Sequence, residues 1–384
     1  MKRLIVAVSI LFALGCATTA PVATPQAPRP LTVALFPYIP DAGGDNFKTL
    51  IAGLTNKFQQ THPDIQLTIT MSGDPYDSST WPTLFGATGP NAVEVDTLAL
   101  GDLVAANYIA PVDWQEPVFP FAAPASRISG TQYAIPTWVC MTFFYSKGEA
   151  PTVSGAWSGS WMLPSYYLVA YTDKYGYVPL DKVMTSPPDP EVVKDMALTM
   201  ANCTVNGANN CLNGTFANSP IAGLPQIEYV RGTYAKTTGF SESSYYIFAN
   251  GGTQPASVAP MQLAAGQNRP LAFTDGLVVN AKSCQAQCAT DVKTFAQFLN
   301  DPMTRIYICF SKDAPGKPPR RLSPASASFY EQPEVIKDWM YQQFQPAFRN
   351  AQGFPNQGFP AARKTLQKQL CTTLQATIPD ACKQ

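Results

Sequence analysis

A strand, an amphipathic helix and a second strand follow one another between residues 31 and 69, and that succession constrains the fold more than any other feature. Residues 31–36 (LTVALF) form a short β-rich run. Asp45 is then placed to cap a helix whose apolar residues Phe47, Leu50, Ile51, Leu54 and Phe58 recur at i, i+3, i+4, i+7 and i+11. Pro63 ends it, and Ile65, Leu67 and Ile69 alternate as a second strand. Strands joined through a helix pair in parallel, so the chain is committed to an α/β sheet. Further strands are predicted over 92–98 and 138–145, with a short helix over 100–107 between them. Residues 151–265 are rich in Tyr, Ser, Gly and Pro, and only helices over 191–200 and 241–249 stand out there. Residues 271–281 read as strand, turn and strand, with Asp275-Gly276 as the turn dipeptide. Helices over 291–299, 334–344 and 361–374 close the chain. An alternation interrupted by a long insertion and then resumed predicts two α/β lobes joined by crossing strands, and 384 residues suit two lobes. The expected first lobe is 31–137 plus about 271–325, and the second is 138–270 plus about 326–384.

Residues 1–16 read as an export signal: a basic start, an apolar run over 4–15, and Cys16 after Ala13-Leu-Gly. The run is too short to span a bilayer, which takes about 20 residues. Cys16 is expected to carry a lipid, because residues 17–30 (ATTAPVATPQAPRP) then serve as an extended tether. Ordinary cleavage that discards Cys16 is the alternative, and either places the protein outside the cytoplasm, secreted or periplasmic. There, Cys203 with Cys211 and Cys371 with Cys382 are plausible disulfides, while the partners of Cys284, Cys288, Cys309 and Cys140 stay open. One histidine, His62, and no CxxC pair argue against a zinc site. Equal counts of 26 basic and 26 acidic residues leave no field to attract nucleic acid. Phosphate-binding signatures (GxxxxGK[ST] or GxGxxG) are absent.

The opening strand–helix–strand, then Tyr108-Ile-Ala-Pro, then Gly130-Thr-Gln-Tyr-Ala-Ile-Pro136 resembles the type II periplasmic-binding-protein architecture, two lobes around a cleft. Within it the chain is similar to the thiaminase I (thiamine pyridinylase) family. The segments carrying that likeness are Ala34-Leu-Phe-Pro-Tyr-Ile-Pro40, Glu94-Val-Asp96, the run from Tyr133 to Lys147 that contains Cys140, and Gly239-Phe-Ser-Glu-Ser243. The chain departs from the family at Phe36 and Phe240, where tyrosines are usual, so two cleft hydroxyls are missing while stacking survives.

The resemblance implies that Cys140 is a nucleophile and Glu242 its general base. A thiol has a pKa of about 8.5 and a glutamate about 4.3, so the pair works only if burial raises the carboxylate. Phe240, Tyr245 and Tyr246 are the neighbours that could bury it. The implied reaction is addition of the Cys140 thiolate to thiamine's aminopyrimidine, loss of the thiazole, and capture of the bridging methylene by an organic base or thiol. Tyr38, Asp96, Phe273 and Asp275 are the expected substrate-binding residues, acidic and aromatic because the thiazolium is a cation. No cofactor or metal is expected, the partners are thiamine and a pyridine-, aniline- or thiol-type co-substrate, and the protein is expected to be a monomer. Each residue also has a plainer reading: Cys140 as a small core hydrophobe, Glu242 as a first-turn helix residue, Asp96 as a cap, Asp275 as a turn former. The rival functions are a non-catalytic solute-binding lipoprotein of a transporter, for thiamine or another small molecule, and a structural surface lipoprotein.

Overall fold

The computed structural model describes residues 27–35, 39–72, 76, 78–176, 183, 187–267 and 269–383, with the side chains of Glu242, Ser243 and Tyr245 outside that description. Cys16 and Tyr38 therefore lie outside the described residues. The strands are β1 (Arg29–Leu35), β2 (Ile65–Met71), β3 (Ala92–Asp96), β4 (Ile109–Ala110), β5 (Arg127–Ile128), β6 (Thr131–Gln132) and β7 (Ala134–Ser146). They continue as β8 (Val153–Ser154), β9 (Thr204–Val205), β10 (Ala208–Asn209), β11 (Lys236–Phe240), β12 (Ser257–Pro260), β13 (Leu271–Asn280) and β14 (Gln352–Gly353). Among the described residues, ten of them form one sheet running β2-β1-β3-β13-β7-β11-β8, with β4 and β14 also on β13 and β12 on β7.

The opening unit folds as its pattern dictates. β1 pairs in parallel with β2 from Arg29–Ile65 to Leu35–Met71. The crossover helix is Lys48–Thr61, and it buries Leu50, Leu54 and Phe58. Phe58 meets Phe295 and Phe298 edge-on at 5.7 and 5.3 Å. The residue at its N-cap is Phe47, not Asp45, in the left-handed region at φ 62°. Asp45 still accepts the Thr49 backbone N–H at 2.9 Å, so it satisfies the helix start from one step further out.

Two long strands tie the halves of the sheet together. β13 lies antiparallel between β3 and β7. Residues 134–141 of β7 pair with β13, whereas 142–146 pair with β11. β12 flanks the same end of β7 from its other side. The segment 271–281 is thus one strand over Leu271–Asn280, and the expected turn at Asp275-Gly276 is instead a register shift against β7. A Cβ at Gly276 would stand 2.9 Å from that of Ala134. Pairing on both edges overrides the local turn preference, and the glycine serves close strand approach.

Beyond β7, the helix Met162–Tyr175 buries ten side chains on nearly every face and packs against the helices Pro190–Ala201 and Phe359–Leu374. A helix apolar all round carries no amphipathic period, so the sequence does not announce it. The helix expected over 334–344 is two, Pro333–Lys337 and Trp339–Asn350, because Asp338 leaves helical geometry and caps the second through Met340 N–H at 2.9 Å. Cys203–Cys211 and Cys371–Cys382 are disulfides, as expected, and Cys284 pairs with Cys288. Cys140 and Cys309 are outside these bridges.

Candidate active site

Side chains on a strand alternate between faces, so residues two apart share one. On β13 that rule puts Phe273 and Asp275 together; on β7 it does the same for Trp138 and Cys140. The register sets Cys140 opposite Phe273 and Trp138 opposite Asp275. On its other edge, Asp275 stands opposite Asp96, the last residue of β3. Three adjacent strands therefore deliver two carboxylates, a thiol and two rings to one patch. All five line a cavity of about 660 Å³, together with Tyr76, Trp161, Met162 and Phe240. That volume and largely apolar lining suit a small organic molecule.

Asp96 is 6 % exposed. Its Oδ1 accepts Leu98 N–H and its Oδ2 accepts the Tyr76 hydroxyl, both at 2.9 Å. Capping and site membership therefore hold together for this residue. Burial pushes its carboxyl up to about 6, against the opposing pull of the Leu98 N–H and the Tyr76 hydroxyl. Tyr76 is pushed well above its ordinary value, first by burial and then by the charges of Asp96, Asp275 and Cys140, so it stays a donor at neutral pH. Those influences put Asp96, Asp275 and Cys140 each within electrostatic reach of Tyr76.

The walls are aromatic. Phe273 meets Phe240 edge-on at 5.7 Å and stacks on Phe354 at 4.4 Å. Trp161, the residue before the helix Met162–Tyr175, lies 4.8 Å from Tyr76, with the Arg363 guanidinium 3.7 Å above its ring. Arg305 covers Trp138 in the same way at 3.8 Å. Arg305 is fully buried, its Nη2 donates to Asn300 Oδ1 at 2.6 Å, and burial lowers its pKa to about 10. A cation stacked over each indole holds these two walls of the cavity in place.

The two cysteines outside the disulfides differ sharply. Cys309 is fully buried, its thiol donates to Leu322 O at 3.4 Å, and burial pushes it up to about 12. A thiol so held is inert. Cys140 is half-buried and lines the cavity. Glu242 belongs to the helix Ser241–Asn250, which starts as β11 ends at Phe240, paired with Thr142. Thr142 is two positions from Cys140 on the same strand, so the backbone of this first turn lies beside the thiol's stretch of β7. Helix N-termini favour negative charge, which suits a thiolate nearby. His62 follows the helix Lys48–Thr61, with its ring 4.7 Å from Phe58, and does not line the cavity.

Of the residues expected from sequence, Cys140, Asp96, Phe273 and Asp275 meet in one cavity. The sequence reading missed Tyr76, Trp161, Met162 and Trp138's part in the wall. Trp161 and Met162 open the helix with no period, and Tyr76 sits in a stretch with none either. Only the adjacency of Trp138 to Cys140 on one strand face could have signalled a role. Among the described residues, no three or more His, Cys, Asp or Glu side chains are grouped to hold a metal ion. Nor is any described helix long and apolar enough to cross a membrane.

No family model matches the chain. In sequence it is similar to thiaminase-1 of Paenibacillus thiaminolyticus, 24% identical over 339 residues that cover 78% of this chain and 77% of that protein. In fold it is similar to Clostridium botulinum thiaminase I, solved in complex with thiamin, with a TM-score of 0.70 at 17% identity, covering 90% of this chain and all of that one. It is also similar to the GacH receptor of Streptomyces glaucescens, solved unliganded and with acarbose, with a TM-score of 0.65 at 17% identity over 93% of this chain and 96% of that one. The expected architecture holds: the chain has the two-lobed periplasmic-binding-protein fold that thiaminase I and sugar receptors share.

Proposed function

We propose that the protein is a thiaminase I-like transferase that replaces the thiazole of thiamine with an organic base or thiol. The observation that carries this reading is Cys140: a thiol outside the three disulfides, lining a cavity with two carboxylates and an aromatic wall. A receptor has no need of such a thiol.

Glu242 takes the thiol proton, and the sulfur lone pair adds to C6 of the aminopyrimidine, breaking its aromaticity. The electrons then expel the thiazole, which leaves the bridging methylene as a neutral molecule with the C–N pair. A nitrogen base attacks that methylene, the S–C6 pair returns to Cys140, and the ring recovers aromaticity. This is nucleophilic catalysis with a general base. Asp275 or Asp96 receives the pyrimidine amino group, Phe273 stacks, and the acidic pair attracts the thiazolium. Tyr38 and Glu242 enter as the resemblance gives them. Tyr76 extends the set as the donor that fixes the Asp96 carboxylate.

Three disulfides suit an oxidising compartment, which supports export, with Cys16 as the lipid attachment point and the protein a monomer. The competing reading, a solute receptor of a transporter, is favoured by the likeness to the GacH receptor. Incubation with thiamine and pyridine separates the two. The expected outcome is release of free thiazole by the wild type and none by Cys140→Ser, whose melting temperature stays the same. Tight binding of thiamine that remains chemically intact would establish the receptor reading instead.

A further inference from the structure

A second cavity of about 460 Å³ adjoins the first, and the two share Ile39, Met162 and Phe240 as a common wall. Its remaining lining includes Ala156, Phe216, Ala222, Pro225, Tyr246 and Ile247. Neither Cys140 nor the carboxylates of Asp96 and Asp275 belong to it. We propose that this cavity is the docking site of the incoming nucleophile, and that it selects a flat, uncharged nitrogen base. The inference rests on the transferase reading above.

Three features argue for it. Continuity comes first: Ile39, Met162 and Phe240 line both cavities, so a molecule seated in this one lies next to the thiol cavity without occupying it. Charge comes second. No described lining residue is basic, so nothing there would hold an anionic co-substrate. The acid among them, Asp41, already accepts the Gly44 and Asn46 N–H groups at 3.1 and 2.8 Å. Shape comes third. Gln226 is pinned as a floor by its 2.6 Å bond from Nε2 to Thr238 O. It lies so close to β11 that a Cβ on Gly239 would come within 2.5 Å of that nitrogen. The same lining adds the rings of Phe216, Phe240 and Tyr246, so a planar ring finds aromatic contacts beside a fixed amide.

In the transfer step, the base's nitrogen lone pair forms the new bond to the methylene, and the S–C6 pair returns to the Cys140 sulfur. A pyridine-type base moves no proton; an aniline-type base releases one from its nitrogen to solvent.

Ala222 is exposed at the rim, so Ala222→Trp narrows the cavity without touching the core. The expected result is a rise of tenfold or more in KM for pyridine, with KM for thiamine within twofold of wild type. A wild-type enzyme that turns over, paired with an Ala222→Trp variant whose pyridine KM is unchanged, overturns this subsite and leaves the transferase standing. A wild type that releases no thiazole with any base overturns the transferase reading itself, and the subsite with it.

Discussion

A carboxylate titrating near 6 beside the proposed thiazolium site should make substrate affinity depend on pH, and Asp96 is that group. Burial drives its rise, so at pH 5 only about one-tenth of the protein carries the anion, whereas at pH 8 nearly all does. When only the ionised form binds, the apparent dissociation constant is the intrinsic one divided by that fraction. Thiamine affinity should therefore weaken about tenfold from pH 8 to pH 5, about 1.4 kcal/mol. The measurement is calorimetric titration of thiamine into Cys140→Ser protein, which on the proposed mechanism binds without turning over. Repeating it with Asp96→Asn added removes thiamine's own titration from the comparison. Asn keeps an oxygen to accept the Leu98 N–H, so the local turn survives. Its affinity should stay weak and change less than twofold across the range. A tenfold slope that persists in the Asn variant would refute the assignment.

Two predictions concern stability. Asp173 is 2 % exposed and accepts Leu263 N–H at 2.7 Å, yet burial pushes it up to about 7. Because its folded pKa exceeds the unfolded value, the native state holds the proton more tightly, and that contribution, complete below about pH 4, is lost as pH rises to 7. Asp173→Asn should accordingly gain stability over wild type across that window, by up to about 4 kcal/mol in urea unfolding, and a pH-independent difference would contradict this. Arg320 and Asp313 form a fully buried bidentate pair at 2.6 and 2.7 Å, and Arg320 Nε donates to Pro40 O at 2.7 Å. Asp313→Ala strands the guanidinium, so it should cost about 3–5 kcal/mol and loosen the adjoining Ile39 wall; a loss below about 1 kcal/mol would disprove that.

The sequence reveals structure where one face of an element is buried and the other is wet. The helix Lys48–Thr61 and the alternation of β2 are legible for that reason, as is the pairing of nearby cysteines in two disulfides. It fails where burial is symmetric, as in the helix Met162–Tyr175, and where pairing on both edges overrules a turn dipeptide, as at Asp275-Gly276. Cys140, Asp96, Phe273 and Asp275 were found through resemblance and single-residue chemistry, and strand register explains why they converge. Tyr76 and Trp161 reach the cavity only through tertiary packing, which no local pattern encodes.

The continuity of β7 through both halves of the sheet bears on how the cleft can open. A ribbon gripped at each end yields by twisting along its length, and points near the middle of the twist travel least. Cys140 sits where the grip changes from one neighbour to the next, like the rivet of a pair of scissors. On the proposed transferase reading, lobes that swing about that point would leave the sulfur in place, so each closure would bring the substrate back to the same stationary atom.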